Sequence, residues 1–148
     1  MQDGDFEALG PFFDAIGRMT EEFVDGGDFF AKLADDCVWE YGFVFAGTVG
    51  RVEGRDAIRE HFRGYHHILW LDAIDHEIVH PTPDGLVLEY RSRGRGTQTG
   101  RPYNNQYISV LTIRDRKIVH WRDYSNKLAV LETVGEISAV ASAMGSAA

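Results

Sequence analysis

An α+β domain, with helices packed on one face of a curved, cone-shaped antiparallel sheet, is the fold this sequence predicts. Three observations carry that expectation. Apolar residues recur at three- and four-residue steps in the first quarter of the chain and again around residue 60, the spacing of one helix face. Beyond residue 70 the period shortens to the alternation of strands, and the intervening turns are short enough for antiparallel neighbours. Finally, 148 residues with 44% apolar and 26% charged side chains suit one domain with its own core. Helices first and a meander afterwards is the order of an α+β layer architecture.

In the first element Phe6, Leu9, Phe12, Phe13, Ile16, Met19 and Phe23 form a stripe, which predicts a helix over 5–24 or, with Pro11 in its first turn, one beginning at Gly10. Gly26-Gly27 stops it, and Asp28 can cap a short helix through Leu33. The aromatic, β-branched run 37–45 lacks a helical period and reads as a strand entering the glycine-rich bend 46–51. Ile58, Phe62 and Tyr65 then mark a helix over 55–65. Strands are predicted over 72–80, 86–94, 103–113 and 117–124, and Ser125 or Asn126 can cap a last helix carrying Leu128, Leu131 and Val134, with Gly135 as its stop. The expected core includes Phe12, Ile16, Phe23, Leu33, Val38, Ile58, Phe62, Val110 and Leu131. The domain core is expected over about 5–135, with a mobile tail at 136–148.

Charge narrows the partners. Fifteen Lys and Arg against twenty-three Asp and Glu give a net charge of -8, which opposes nucleic acid or an anionic membrane as partner. No apolar run approaches the roughly 20 residues of a membrane span, and the acidic start lacks the basic flank of a signal peptide, so a cytoplasmic protein is expected. Cys37 is the only cysteine; its apolar setting predicts a buried thiol rather than a nucleophile. His76 and His80 would chelate a metal on a helix, but on a strand they stand roughly 13 Å apart at about 3.3 Å per residue, so no metal site is expected.

The order of elements, with Ala34-Asp-Asp-Cys-Val-Trp-Glu40, Val52-Glu-Gly-Arg-Asp-Ala-Ile58, Thr99-Gly-Arg-Pro-Tyr-Asn-Asn105 and Lys117-Ile-Val-His-Trp-Arg-Asp-Tyr124, resembles the SnoaL-like branch of the nuclear transport factor 2-like superfamily. That resemblance implies three helices around a strongly bent sheet, a pocket inside the cone and a homodimer through the outer sheet face, where alternation places His120, Arg122 and Tyr124. The scaffold hosts isomerases, polyketide cyclases, dehydratases, epoxide hydrolases and non-catalytic domains, so function must come from the site.

On the final strand Val119, Trp121 and Asp123 share one face. Val119 and Trp121 make it the inner one, where desolvation raises a carboxyl pKa and suits it to acid/base work. Asp123 also matches the acid/base aspartate of the polyketide cyclases. On strand 86–94, Glu89, Arg91 and Arg93 share a face opposite Leu88 and Tyr90. If that charged face lines the cone, Arg91 and Arg93 can orient Asp123 or hold an oxyanion; otherwise it is a solvated surface. The aspartate–arginine–aspartate set of limonene-type epoxide hydrolases looks similar at Arg91 and Asp123, although its remaining aspartate position reads Arg93. In the steroid isomerases the stretch resembling residues 34–41 puts the base aspartate on Tyr41, while Glu40 falls on the opposite side of a regular strand. Trp39, Tyr41, Asn105, Tyr107 and Trp121 suit a polar and aromatic pocket for a flat organic ligand; His66-His67 fit either the pocket mouth or a solvated helix end. The expected activity is cofactor-independent acid/base chemistry on a small hydrophobic or aromatic metabolite. A non-catalytic binding domain and an interaction module are the rival classes.

Overall fold

Helix α1 spans Gly10–Thr20 in the computed structural model, which describes residues 3–135; the expected tail 136–148 lies outside the described residues. Of the two starts the sequence allows, Gly10 is the observed one. Pro11 occupies the first turn, where a missing N–H costs nothing, and Asp3–Leu9 forms a separate 3-10 turn that keeps Phe6 and Leu9 on the buried side. Asp28 caps as expected, its carboxylate accepting from the Ala31 N–H at 2.8 Å, but the short helix is a single 3-10 turn, Phe30–Lys32.

Strand β1 runs Leu33–Tyr41, earlier than the predicted 37–45. Its pairing register slips between Leu33 and Val38, and this irregularity lets exposed Asp35 and Asp36 sit within a strand whose Leu33, Cys37 and Trp39 are buried. The chain leaves the sheet at Gly42, so Phe43, predicted within the strand, is 75% exposed with φ at 55°. A Cβ at Gly42 would collide with the Tyr124 ring. β2 (Arg51–Glu53) returns as a three-residue partner of β1, too short to show any alternation. Helix α2 (Arg55–Arg63) buries Ile58 and Phe62, and Tyr65 begins a 3-10 turn, Tyr65–His67.

The meander is β3 (Leu69–Thr82), β4 (Gly85–Gly96), β5 (Pro102–Arg114) and β6 (Lys117–Ser125), each longer than expected. Asp115 and Arg116, both with φ near +60°, make the two-residue primed turn between β5 and β6 that suits strand twist. The sheet order is β2-β1-β6-β5-β4-β3. The α+β class and curved sheet are as predicted, with one difference: β1 and β6 run parallel, so the sheet is mixed. The cause is topological, because α2 and the turn after it carry the chain to the far edge, and the meander comes back to β1 in β1's own direction.

Helix α3 (Lys127–Val134) starts at Asn126, whose side chain accepts from the Leu128 N–H, and ends at Gly135 in the left-handed conformation. It buries Val130 and Thr133, leaving predicted Leu128 exposed. Phe12, Ile16, Leu33, Ile58 and Phe62 are in the core as expected, whereas Phe23, Val38, Val110 and Leu131 are half-buried. Val38 and Val110 lie on the sheet face away from the helices, where alternation sends every second residue. At the centre, Trp39 stacks on Trp121 with ring centres 4.6 Å apart. Among the described residues no helix is long and apolar enough to cross a membrane.

Candidate active site

Between the helices and the concave face of the sheet lies a chamber of two lobes. The mouth lobe, about 110 Å³, has walls from the 42–50 loop, Ile68, Leu69, Tyr103 and the start of α3. The inner lobe, about 60 Å³, is closed by Leu9, Phe12, Trp39, Phe62, Leu71 and Ile74. Tyr41, Tyr65, Tyr107 and Asp123 line both. Asp123 is the shared wall's only carboxylate among the described residues.

Strand parity puts Asp123 inside: it is 8% exposed and lies two residues from fully buried Trp121. Its Oδ1 accepts from Ser109 Oγ at 2.7 Å, Trp121 Nε1 at 3.2 Å and the Tyr90 hydroxyl at 3.5 Å. Among the described residues no donor reaches Oδ2. One oxygen is therefore fixed and the other is available to a ligand. Burial pushes the carboxyl pKa up, against the hydrogen bonds from Ser109 and Trp121, the charge of Lys127 and the bond from Tyr90. A carboxyl shifted this way lies nearer the pH at which it can both take and return a proton.

The surrounding phenols are neutral. Burial raises the pKa of Tyr41, Tyr65, Tyr90 and Tyr107, and pushes Tyr103 up to about 12. They are organised by short bonds: Tyr90 to Ser109 at 2.6 Å, Ser92 to Tyr107 at 2.9 Å, Tyr103 to Tyr107 at 2.8 Å, and Tyr41 to His61 Nε2 at 2.6 Å. Among the described residues the Trp39 indole N–H has no hydrogen-bond partner, although it stands close enough to the Tyr41 phenol to offset part of that group's rise.

The expected site residues divide. Asp123, Trp39, Tyr41 and Tyr107 meet at the chamber, and Trp121 sits beneath it as a donor to Asp123. Asn105 is buried, but its amide is spent on Tyr103 and on the Asn126 and Gln106 backbone, so it braces the wall. Arg91 and Arg93 are exposed on the opposite face; Arg93 pairs with Asp75 at 3.1 Å, and no hydrogen bond or ion pair joins Arg91 to Asp123 among the described residues. Of the two readings of that charged face, the solvated one fits, because Leu88, Tyr90 and Ser92 occupy the inward positions. The aspartate–arginine set of the epoxide hydrolases is accordingly not assembled. Glu40 also stays outside, bonded to His120 at 2.9 Å and Arg51 at 2.5 Å. His66 and His67 lie together, ring centres 4.1 Å apart, in the turn after α2. His76 and His80 bond separate carboxylates, Asp75 and Glu89, each at 2.6 Å. Cys37 is fully buried, its thiol pushed up to about 12 by desolvation and then by the charge of Asp36.

Four residues of the site were not anticipated: Lys127, Ser109, Tyr90 and Tyr65. Parity could have found two of them, since Ser109 shares a face with Tyr107 and Leu111, and Tyr90 lies opposite the charged set. Lys127 had a different signal, a cation at the first position of a helix, where the dipole disfavours it.

The sequence profile of the SnoaL-like domain matches residues 11–121, a span that stops just short of Asp123. The uncharacterized protein YesE of Bacillus subtilis is 33% identical over 103 residues, 68% of this chain and 70% of its own. The uncharacterized PhzA/B-like protein PA3332 of Pseudomonas aeruginosa is 33% identical over 105 residues, 70% of this chain and 74% of its own. Among solved structures, a candidate isomerase from Bacillus subtilis superposes with a TM-score of 0.71 at 28% identity, covering 91% of this chain and 96% of that one.

Proposed function

Because this chain belongs to the SnoaL-like domain family and shares the fold of a nuclear transport factor 2-like protein, we propose that its chamber carries out acid/base chemistry, without a cofactor, on a hydrophobic oxygenated ring compound. The observation behind this reading is the asymmetry of Asp123: one carboxylate oxygen accepts from three donors, and among the described residues none reaches the other, in a largely apolar chamber. Such a group can take a proton from a carbon beside a carbonyl and return it to another atom. The neutral phenols of Tyr41, Tyr65 and Tyr107 suit the developing oxygen charge, because a low-dielectric wall strengthens their hydrogen bonds. Isomerisation, aldol ring closure and dehydration all begin with that step. Arg91 has no part in it.

Size supports a compact substrate. Lobes of about 110 and 60 Å³ compare with the roughly 150 Å³ apolar cavity that takes one benzene. The candidate isomerase agrees with small-molecule chemistry on this scaffold. Incubating the protein with a panel of cyclic ketones in D2O, and following deuterium uptake by mass spectrometry, tests the step without knowledge of the final product. Exchange should fall by on the order of 10²–10⁴ in Asp123→Asn. Equal exchange in that variant would remove Asp123 from the step, and no exchange above the uncatalysed rate in the wild type would leave a small-molecule binding domain as the reading.

The same proposal includes a homodimer through the outer sheet face. There Phe43, Ile78 and Ile108 are exposed around a shallow depression, and the buried Arg122 Nε has no partner among the described residues. Sedimentation of a monomer at micromolar concentration would contradict it.

A further inference from the structure

Lys127 is the only cationic side chain among the described residues that line the chamber, and the helix it begins does not favour it there. It opens α3, where the helix dipole opposes a positive charge, and Asn126 already supplies the cap. Its ammonium bonds Ser125 Oγ at 3.1 Å and lies 5.5 Å from the centre of the Tyr41 ring. Among the described residues no carboxylate, Asp123 included, comes within ion-pair distance of it. A half-buried ammonium with one hydrogen bond has two N–H groups left for a ligand.

We infer that Lys127 is the anion-binding residue of the chamber, receiving the negatively charged oxygen of a ring-sized ligand at the mouth lobe while Asp123 Oδ2 faces the ring itself. The ligand class is a cyclic compound bearing a carboxylate, phenolate or enolate oxygen. An enolate is also what proton removal by Asp123 would generate, so the inference rests on the acid/base reading and deepens it. Burial lowers the pKa of Lys127 and the charge of Asp123 raises it again. Among the described residues no carboxylate pairs with the ammonium, and its one hydrogen bond goes to a neutral hydroxyl, which leaves it open to an anion.

Titrating the protein into 4-nitrophenol reads this directly, because the anion and the neutral phenol differ in visible absorbance. The wild type should bind the anion more tightly than the neutral form, and benzoate should displace it. Lys127→Met should weaken anion binding by about tenfold or more, the scale of one charge-assisted hydrogen bond, and Lys127→Arg should retain most of it. A wild type that prefers the neutral phenol, or does not bind the anion, overturns the inference without any variant. A folded Lys127→Met with undiminished anion affinity also overturns it. Failure here is separable from failure of the acid/base reading, which is judged by deuterium exchange in Asp123→Asn.

Discussion

On β4 the residues Glu89, Arg91 and Arg93 alternate with Leu88, Tyr90 and Ser92, so the same backbone serves two surfaces with opposite habits. Outward, charges meet in exposed pairs: Arg93 with Asp75, Arg95 with Asp72, His80 with Glu89. Inward, polar groups are sparse and meet one another: Tyr90 and Ser109 meet Asp123, and Ser92 meets Tyr107. The two faces also shift their carboxylates in opposite directions. Glu40, outside, is held low by hydrogen bonds from His120 and Arg51; Asp123, inside, is pushed up by burial. Solvent access, not residue type, separates a surface that carries charge from one suited to moving a proton.

The largest effect expected on that contrast is catalytic. Asp123→Asn should cut deuterium exchange into a ketone substrate by on the order of 10²–10⁴, whereas Arg91→Ala should leave it within about twofold, the range of a surface substitution away from the site. Arg91 sensitivity equal to that of Asp123 would break the division between faces.

Next comes packing. Phe62 is 4% exposed and meets Trp39 edge-on at 4.9 Å, so Phe62→Ala should cost about 3–5 kcal/mol in denaturant unfolding. A cost below about 1 kcal/mol would mean the inner wall is not close-packed.

Stability against pH gives the third test, and the two carboxylates carry opposite signs. Asp123 binds its proton more tightly folded than unfolded, so its contribution is best in acid and is lost as pH rises from the ordinary carboxylate range through its raised folded value. Glu40 binds its proton less tightly when folded. Its contribution is present above the unfolded value and lost as pH falls through the depressed one. Melting curves across pH should therefore show Asp123→Asn gaining on the wild type as pH rises above the ordinary carboxylate range. Glu40→Gln should instead lose least to the wild type in acid. Parallel curves for the two variants would refute the assignment. The smallest effect belongs to the exposed pairs: Arg95→Ala should cost less than about 1 kcal/mol, since solvent screens the Asp72 contact.

The helices and the meander were legible because their periods depend on local geometry alone. Trp121 and Asp123 were legible for the same reason, since regular alternation carries both to one face. Alternation could not say which face of β4 was the inner one, because Arg91 and Tyr90 are both compatible with a chamber wall. It also failed where regularity failed: the register slip in β1 hid the true start of that strand, and β2 is three residues long. Lys127 and Ser109 become site residues only through contacts between elements far apart in the chain, and such contacts leave no local period.

The parallel pairing of β1 with β6 makes Tyr41 and Asp123 register partners, and that has a consequence for biogenesis. On the ribosome β1 emerges early, yet its partner is the last strand described, so the loop to be closed spans most of the domain. Such long closures slow folding. Until β6 arrives, one edge of β1 is open, with the inward Trp39 face lacking its Trp121 cover, a surface prone to pairing with other nascent chains. A lesion that delays docking of β6 should therefore lower soluble yield and abolish the chamber together, even when every residue of the first half is intact.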